Sequence, residues 1–411
     1  MNSDFTRIQQ DALINKMHKR IGSENMPHMD SAMAGMPFRG EFVGKRLNED
    51  ANMEPSNRTD FDMLDNKPQH NTFLPAYGVS PAKFISTSSN NYTVNMMACA
   101  KTNALSSFSI YSIFASLFLS ADSNTETEST LVDYFLFDDI DSVHKGLSQI
   151  NNMLRKTKGI IIKNIILINN EHGLDGEMVK YLGEIATVRQ ISLNHVDNEF
   201  DTLNNYIGKI TNNKIKKISK KILVNTNMIC LSIIFINIMI PSFNIITNNS
   251  INLMGTINKE YDYHHEGTVK LVEIETNNKD IMLGIFMSNT TNEYPDLGLL
   301  PICISKLLKT MLAAIFIPFI DINNKTRLST VLYQNGLSDM FEKMEISKLV
   351  QSTINLSDVL QHCLFHIVPP NAKPTNNVTI PNSHTSVIAK NTFFYYLRVK
   401  STNTIILSGF Y

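Results

Sequence analysis

The C-terminal end of this chain sets the tightest limit on its fold. A β-rich run from Thr353 to Val368 stops at Pro369-Pro370, where two residues without a backbone N–H end any ladder. Residues 371–392 then carry no regular pattern, and two further β-rich runs, Phe393–Val399 and Thr404–Tyr411, complete the sequence. So long a patternless stretch is uncommon inside a compact domain and is usually functional. Because strands that must be packed flank it, it is expected to be a displayed loop.

The 411 residues suffice for a large core, and the 43% hydrophobic content is that of an ordinary globular protein. A net charge of -1 gives no global field for nucleic acid or an anionic membrane. The chain is rich in Asn, Ile, Lys and Thr and has no Trp, a bias typical of AT-rich coding genomes such as those of large DNA viruses or protists. Cys99, Cys230, Cys303 and Cys363 lack metal-ligand spacing and are expected to be buried free thiols. The N-terminal residues contain no apolar secretory segment. The most apolar window, Ile229 to Pro241, is too short to span a bilayer and reads as a buried strand. These features predict a soluble protein, intracellular or, if viral, in the host cytoplasm or the virion.

Residues 1–75 are polar and aperiodic, which predicts a disordered extension with one short helix, Asp4–Arg20. A folded domain over 76–411 follows. Ser107–Ser120 is apolar almost all round, as a buried helix is. Helices are also expected over Thr125–Phe135, Glu177–Glu184, Asn198–Ile210, Leu297–Leu308 and Thr326–Asn335, the last stopped by Gly336. Ile160–Asn169, Thr226–Met239 and Ala314–Ile322 read as strands, and residues 250–292 as antiparallel hairpins. Helices early and long strands late give an α+β class.

Several of these segments resemble the serpin family. The run Leu203-Asn204, Tyr206-Ile207 and Thr211, followed by Asn213-Lys214-Ile215, is similar to the family's helix motif, and Thr226–Phe235 to the strand after it. Ser106-Ser107-Phe108-Ser109-Ile110 resembles the start of the buried second helix, with Ser107 where a proline is usual. Ile317-Pro318-Phe319 with Asp321-Ile322, and Asn335 to Phe341, match two further segments. Leu356–Val368 resembles the strand entering the reactive loop, and Thr392–Leu397 and Ile405–Gly409 the two closing strands. The likeness covers about residues 90–411 in family order. It implies a serpin-like fold of N-terminal helices and large, mostly antiparallel sheets, with an exposed reactive-centre loop at about residues 369–392.

It also implies a function without catalysis. A serpin offers its loop to a protease as bait, and the cleaved loop inserts as a new strand in a large sheet. The implied partner is a serine protease, or secondarily a cysteine protease, met by a monomer without cofactor or metal. Counting forward from Pro369 by the family's loop length reaches Thr385-Ser386. Counting back from Phe393 reaches Pro381-Asn382. The bait region is therefore Pro381, Asn382, Ser383, His384, Thr385 and Ser386. It holds no Arg or Lys, which disfavours a trypsin-like target. The loop hinge, Pro369, Pro370, Asn371, Ala372, Lys373 and Pro374, departs from the family's Ala-rich pattern. Proline is nearly excluded from a central strand. By period two, Ala372, Pro374, Asn376 and Val378 would face the core. The alternative is a non-inhibitory serpin scaffold, a binding or structural protein. The family's polar cluster beneath the opening sheet falls on Ser106, Ser109, Ser232 and Gln361, where Ser109 and Gln361 could pair; plain helix and strand packing is the equal alternative.

Other signals carry less. His264-His265 and the His362/His366 pair lack a third metal ligand. Five lysines over Lys214–Lys221 read as a solvated helix end. Ser383 and His384 are adjacent on a loop and lack an orienting acid, so they do not make a hydrolase.

Overall fold

One strand organises the molecule. Met228–Met239 (β3) is an almost unbroken β-branched and apolar run, and such a run needs cover on both faces. It receives it. The computed structural model describes residues 79–192, 195–218, 226–248, 251–290, 292–368, 375–376, 381, 383–390 and 392–411. The extension 1–75 with its expected helix, the hinge Pro369–Pro374 and Asn382 lie outside those residues.

Behind β3 runs Ser107–Ser120 (α2), every residue of which is buried. Three of its serines are satisfied within the helix: Ser112, Ser116 and Ser120 each donate to the carbonyl four residues back. Around α2 pack Pro81–Ala100 (α1), Glu126–Phe135 (α3) and Ile140–Lys156 (α4). α1 is not evident from apolar periodicity, whereas α4 carries a helical apolar stripe, Val143, Leu147, Ile150 and Leu154, that the sequence reading above did not use. The buried face of α1 mixes Ile85, Tyr92, Met96 and Met97 with Ser86, Ser88, Ser89 and Thr93; Ser86, Ser89 and Thr93 donate to carbonyls three or four residues back in the helix and so tolerate burial.

Ile160–Asn169 (β1), Thr187–Ile191 (β2), β3, Asp321–Arg327 (β9) and Leu356–Val368 (β10) form a five-stranded sheet in the order β2-β1-β3-β10-β9. A short helix, Gly176–Leu182 (α5), links β1 to β2. Val196–Ile210 (α6) crosses the front face. Its Leu203 and Ile207, with Ile215 and Ile218 beyond it, form a second core against β1 and β3. Asn204 and Thr211 hold that arrangement: Asn204 Oδ1 accepts the Ile218 N–H, and Thr211 Oγ1 the Ile215 N–H.

The remaining strands form a nine-stranded sheet: Asn244–Asn248 (β4), Ile251–Glu266 (β5), Val269–Glu275 (β6), Ile281–Ser288 (β7), Leu308–Pro318 (β8), Thr375–Asn376 (β11), Ser386–Ile388 (β12), Phe394–Val399 (β13) and Thr404–Phe410 (β14). Inside it lies one buried charge pair. Arg398 Nε donates to Glu273 Oε1 at 2.7 Å, and Tyr396 donates its hydroxyl proton to the same oxygen. Full pairing is what makes a buried charge tolerable.

Three expected elements shift. The helix foreseen over Leu297–Leu308 is a 3-10 turn, Leu297–Leu299, and a helix, Leu300–Ser305 (α7); Leu308 already belongs to β8. The strand expected at Ala314–Ile322 is two strands, because Phe319-Ile320 turns the chain into the other sheet. The helix expected over Thr326–Asn335 starts later, since β9 runs to Arg327; it comprises Ser329–Leu332 (α8) and a wider turn, Tyr333–Leu337. Gly336, at φ 105°, makes the stop before Ser338–Glu342 (α9). No described helix is long and apolar enough to cross a membrane.

Candidate functional site: a parallel seam and its loop

β10 and β3 lie side by side and run the same way. Their register extends from Leu356↔Met228 to Val368↔Met239 with one irregularity near Asp358. Each pairs antiparallel with its other neighbour, β9 and β1. A parallel pairing between two antiparallel ones is slightly weaker per residue. It is also the one place where a chain doubling back from the end of β10 would run antiparallel to both neighbours.

The seam is tied from behind at its middle, where Gln361 stands opposite Ser232. Gln361 accepts the Ser106 N–H at 2.7 Å and donates to the Ser106 carbonyl at 3.1 Å. Ser232 and Ser109 share a contact, and both donate to Asn164 Oδ1 of β1. Ser106 also caps α2 by accepting the Ser109 N–H. All five residues are nearly fully buried. The expected quartet is thus assembled, with one correction: Gln361 bonds the Ser106 backbone rather than Ser109, whose hydroxyl is taken by Asn164 and Ser232. Asn164 escaped the sequence reading because it sits inside an apolar strand; a polar residue in such a run is the signal that could have found it.

On the front face, His362 Nε2 meets Asn323 Oδ1 at 2.8 Å and His366 Nδ1 meets Asp321 Oδ1 at 2.6 Å, joining β10 to β9. Burial, aided by the nearby Lys325 ammonium, lowers the His362 pKa to about 4. These histidines join two strands; among the described residues no group of three metal-ligating side chains occurs. A cavity of about 360 Å³ lies where β3 and β10 end, lined by Phe235, Asn237, Asp321 and His366 among others.

Beyond β10 the loop touches the other sheet at two places. Thr375–Asn376 pairs parallel with Ile246-Thr247 on the edge of β4. Ser386–Ile388 pairs parallel with Ala314–Phe316 of β8. The second contact is a strand that the expected open stretch to residue 392 did not include. Its length hides it, since three residues cannot show a period. Of the residues expected to form the bait, Ser386 is therefore the first residue of β12 and is buried. Pro381, Ser383, His384 and Thr385 form a closed turn before it. The Ser386 N–H donates to the Ser383 carbonyl at 2.9 Å, and the Ser386 hydroxyl to the Pro381 carbonyl at 2.7 Å.

Three thiols, Cys230, Cys303 and Cys363, are buried as expected, whereas Cys99 is exposed; all four are free. The exposure of Cys99 follows from its place near the end of α1.

A family model described as Serpin (serine protease inhibitor) matches residues 84–411. No curated protein matches. Among solved structures the chain is similar to native protease nexin-1 with heparin (TM-score 0.66, 14% identity, 80% of this chain and 99% of that one). It is also similar to Serpin48 of the insect Tenebrio molitor (0.65, 17%, 79% and 97%). A third likeness is to mouse protein-Z dependent protease inhibitor (0.64, 11%, 80% and 98%). The α+β fold is shared with these structures, and the chain belongs to the serpin family.

Proposed function

We propose that the protein presents its loop, around Pro381–Ser386, as bait to a serine protease, and that insertion between β3 and β10 is the conformational change available after cleavage. One observation carries this reading. β3 and β10 are parallel neighbours along their whole length, while the loop that follows β10 is tied outside, to the other sheet. An inserted strand would replace one parallel pairing by two antiparallel ones and bury alternate side chains. The family model's description, serine protease inhibitor, and the likeness to the mouse protein-Z dependent protease inhibitor agree. The absence of Arg and Lys from residues 381–386 favours small-residue or chymotrypsin-like proteases over trypsin-like ones.

A second reading rests on a specific feature, the prolines at 369, 370 and 374. Each removes a donor from the strand that would insert. In this reading the protein is a non-inhibitory scaffold that binds partners without trapping them.

The test is incubation with elastase-like, chymotrypsin-like and subtilisin-like proteases, followed by a denaturing gel. A covalent complex is expected from the inhibitor. Cleavage in the loop with no such complex from any of the three would defeat that reading and leave the scaffold.

A further inference from the structure

The carbonyls of Pro381, Ser383, His384 and Ser386, in and beside the turn before β12, each have a hydrogen-bond donor. The Pro381 carbonyl accepts the Ser386 hydroxyl, and the Ser383 carbonyl accepts the Ser386 N–H. The Ser383 hydroxyl accepts the Thr385 N–H at 3.3 Å and meets Thr385 Oγ1 at 3.1 Å. Thr385 Oγ1 in turn accepts the Ala313 N–H of β8. The carbonyls of His384 and Ser386 are both reached by one cation, Lys270 Nζ of β6, at 3.4 Å each. Lys270 is half-buried, and burial lowers its pKa. It has no carboxylate partner among the described residues; its acceptors are those two main-chain oxygens.

This matters because a serine protease must take a loop carbonyl into its own donors and lay the flanking residues out as an extended strand. Four carbonyls of the turn are already occupied, two of them by Lys270. Meanwhile Thr375–Asn376 lies on β4 and Ser386–Ile388 on β8, two strands that flank β5 on either side. The loop is thus fastened on both sides of the turn.

We propose that Lys270 is a positioning residue for the bait: its ammonium closes the turn at His384 and Ser386 and so sets how readily a protease can open it. This deepens the inhibitor reading by naming the group that controls access, but its test does not depend on trapping.

The test uses the full chain as Lys270→Met and Lys270→Arg, with elastase as probe. The rate of loop cleavage is followed, and the cut sites are located by mass spectrometry. The Met variant keeps the stem and loses the donor. It should be cut about tenfold faster within residues 381–386, consistent with the loss of two charged hydrogen bonds, while the midpoint of thermal unfolding stays within a degree or so of wild type. The Arg variant should restore slow cleavage, which a merely structural side chain would not do. If the Met variant is cut in the turn at the wild-type rate, or if it speeds up and Arg restores nothing, the proposal falls. Should no covalent complex form in any variant while the Met variant is still cut faster, the inhibitor reading fails and the role of Lys270 stands.

Discussion

Ser106 and Ser107 show how much rests on two small residues. Ser106 caps α2 and gives both its N–H and its carbonyl to Gln361, so the helix start and β10 share one residue. Ser107, the next, does none of this. It is buried, and its hydroxyl has no hydrogen-bond partner among the described residues. It occupies the first helical position, where a backbone N–H has no intrahelical acceptor and proline is well accommodated. Ser106 has φ -95° and ψ 87°, outside the helical region that a following proline disfavours. Ser107→Pro should therefore stabilise the protein by about 0.5–1 kcal/mol, through a less flexible unfolded chain and the loss of an unpaired hydroxyl. An unchanged or lower midpoint in denaturant unfolding would contradict this. Residues of this kind were half legible. Ser106, Ser109, Ser232 and Gln361 could be placed by resemblance, but which atoms pair depends on the register that sets Asn164 opposite Ser232.

At the scale of elements, the apolar patterns served well where burial alone determines structure. α2 and β1 have the bounds that their composition predicts, because each is a nearly continuous apolar run. α1 is hidden because its buried face carries hydroxyls, whereas α4 was legible in Val143, Leu147, Ile150 and Leu154, spaced as one helix face, and was overlooked. The β9–β10 pair supplies a pH test. Unfolded, His362 takes up a proton near pH 6.5; folded, it resists until about 4. Between those values the unfolded chain binds more protons, so stability is full above pH 6.5 and declines as pH falls towards 4. The loss from this group is on the order of 3 kcal/mol at most. His362→Gln should flatten that part of the stability–pH curve. An unaltered slope between pH 6.5 and 4 would show that burial of His362 is not its source.

For the whole molecule, the question is whether cutting the loop changes its stability. If the prolines keep the loop out of the seam, cleaved and intact wild type should melt within a few degrees of each other. Pro374→Ala returns a donor to the segment nearest β11. Its cleaved form should melt higher than its intact form by more than cleaved wild type gains, on the order of 5 °C or above. Calorimetry on both pairs decides it, and equal gains would count against proline as the obstacle. None of this could be judged from composition. The seam exists only because β3 and β10, with β4 to β9 between them in the chain, fold back as neighbours.

That shared direction gives the seam an entrance and a blind end. A strand folding back from Val368 must thread in from the side where β3 and β10 both finish, one residue after another. A misfit among the first to arrive therefore bars all that follow, whereas the same misfit deeper along would only shorten the travel. On the proposed insertion, the prolines at 369, 370 and 374 would come first in sequence after β10, so entry would be governed by the order of arrival rather than by how well the later residues would have fitted.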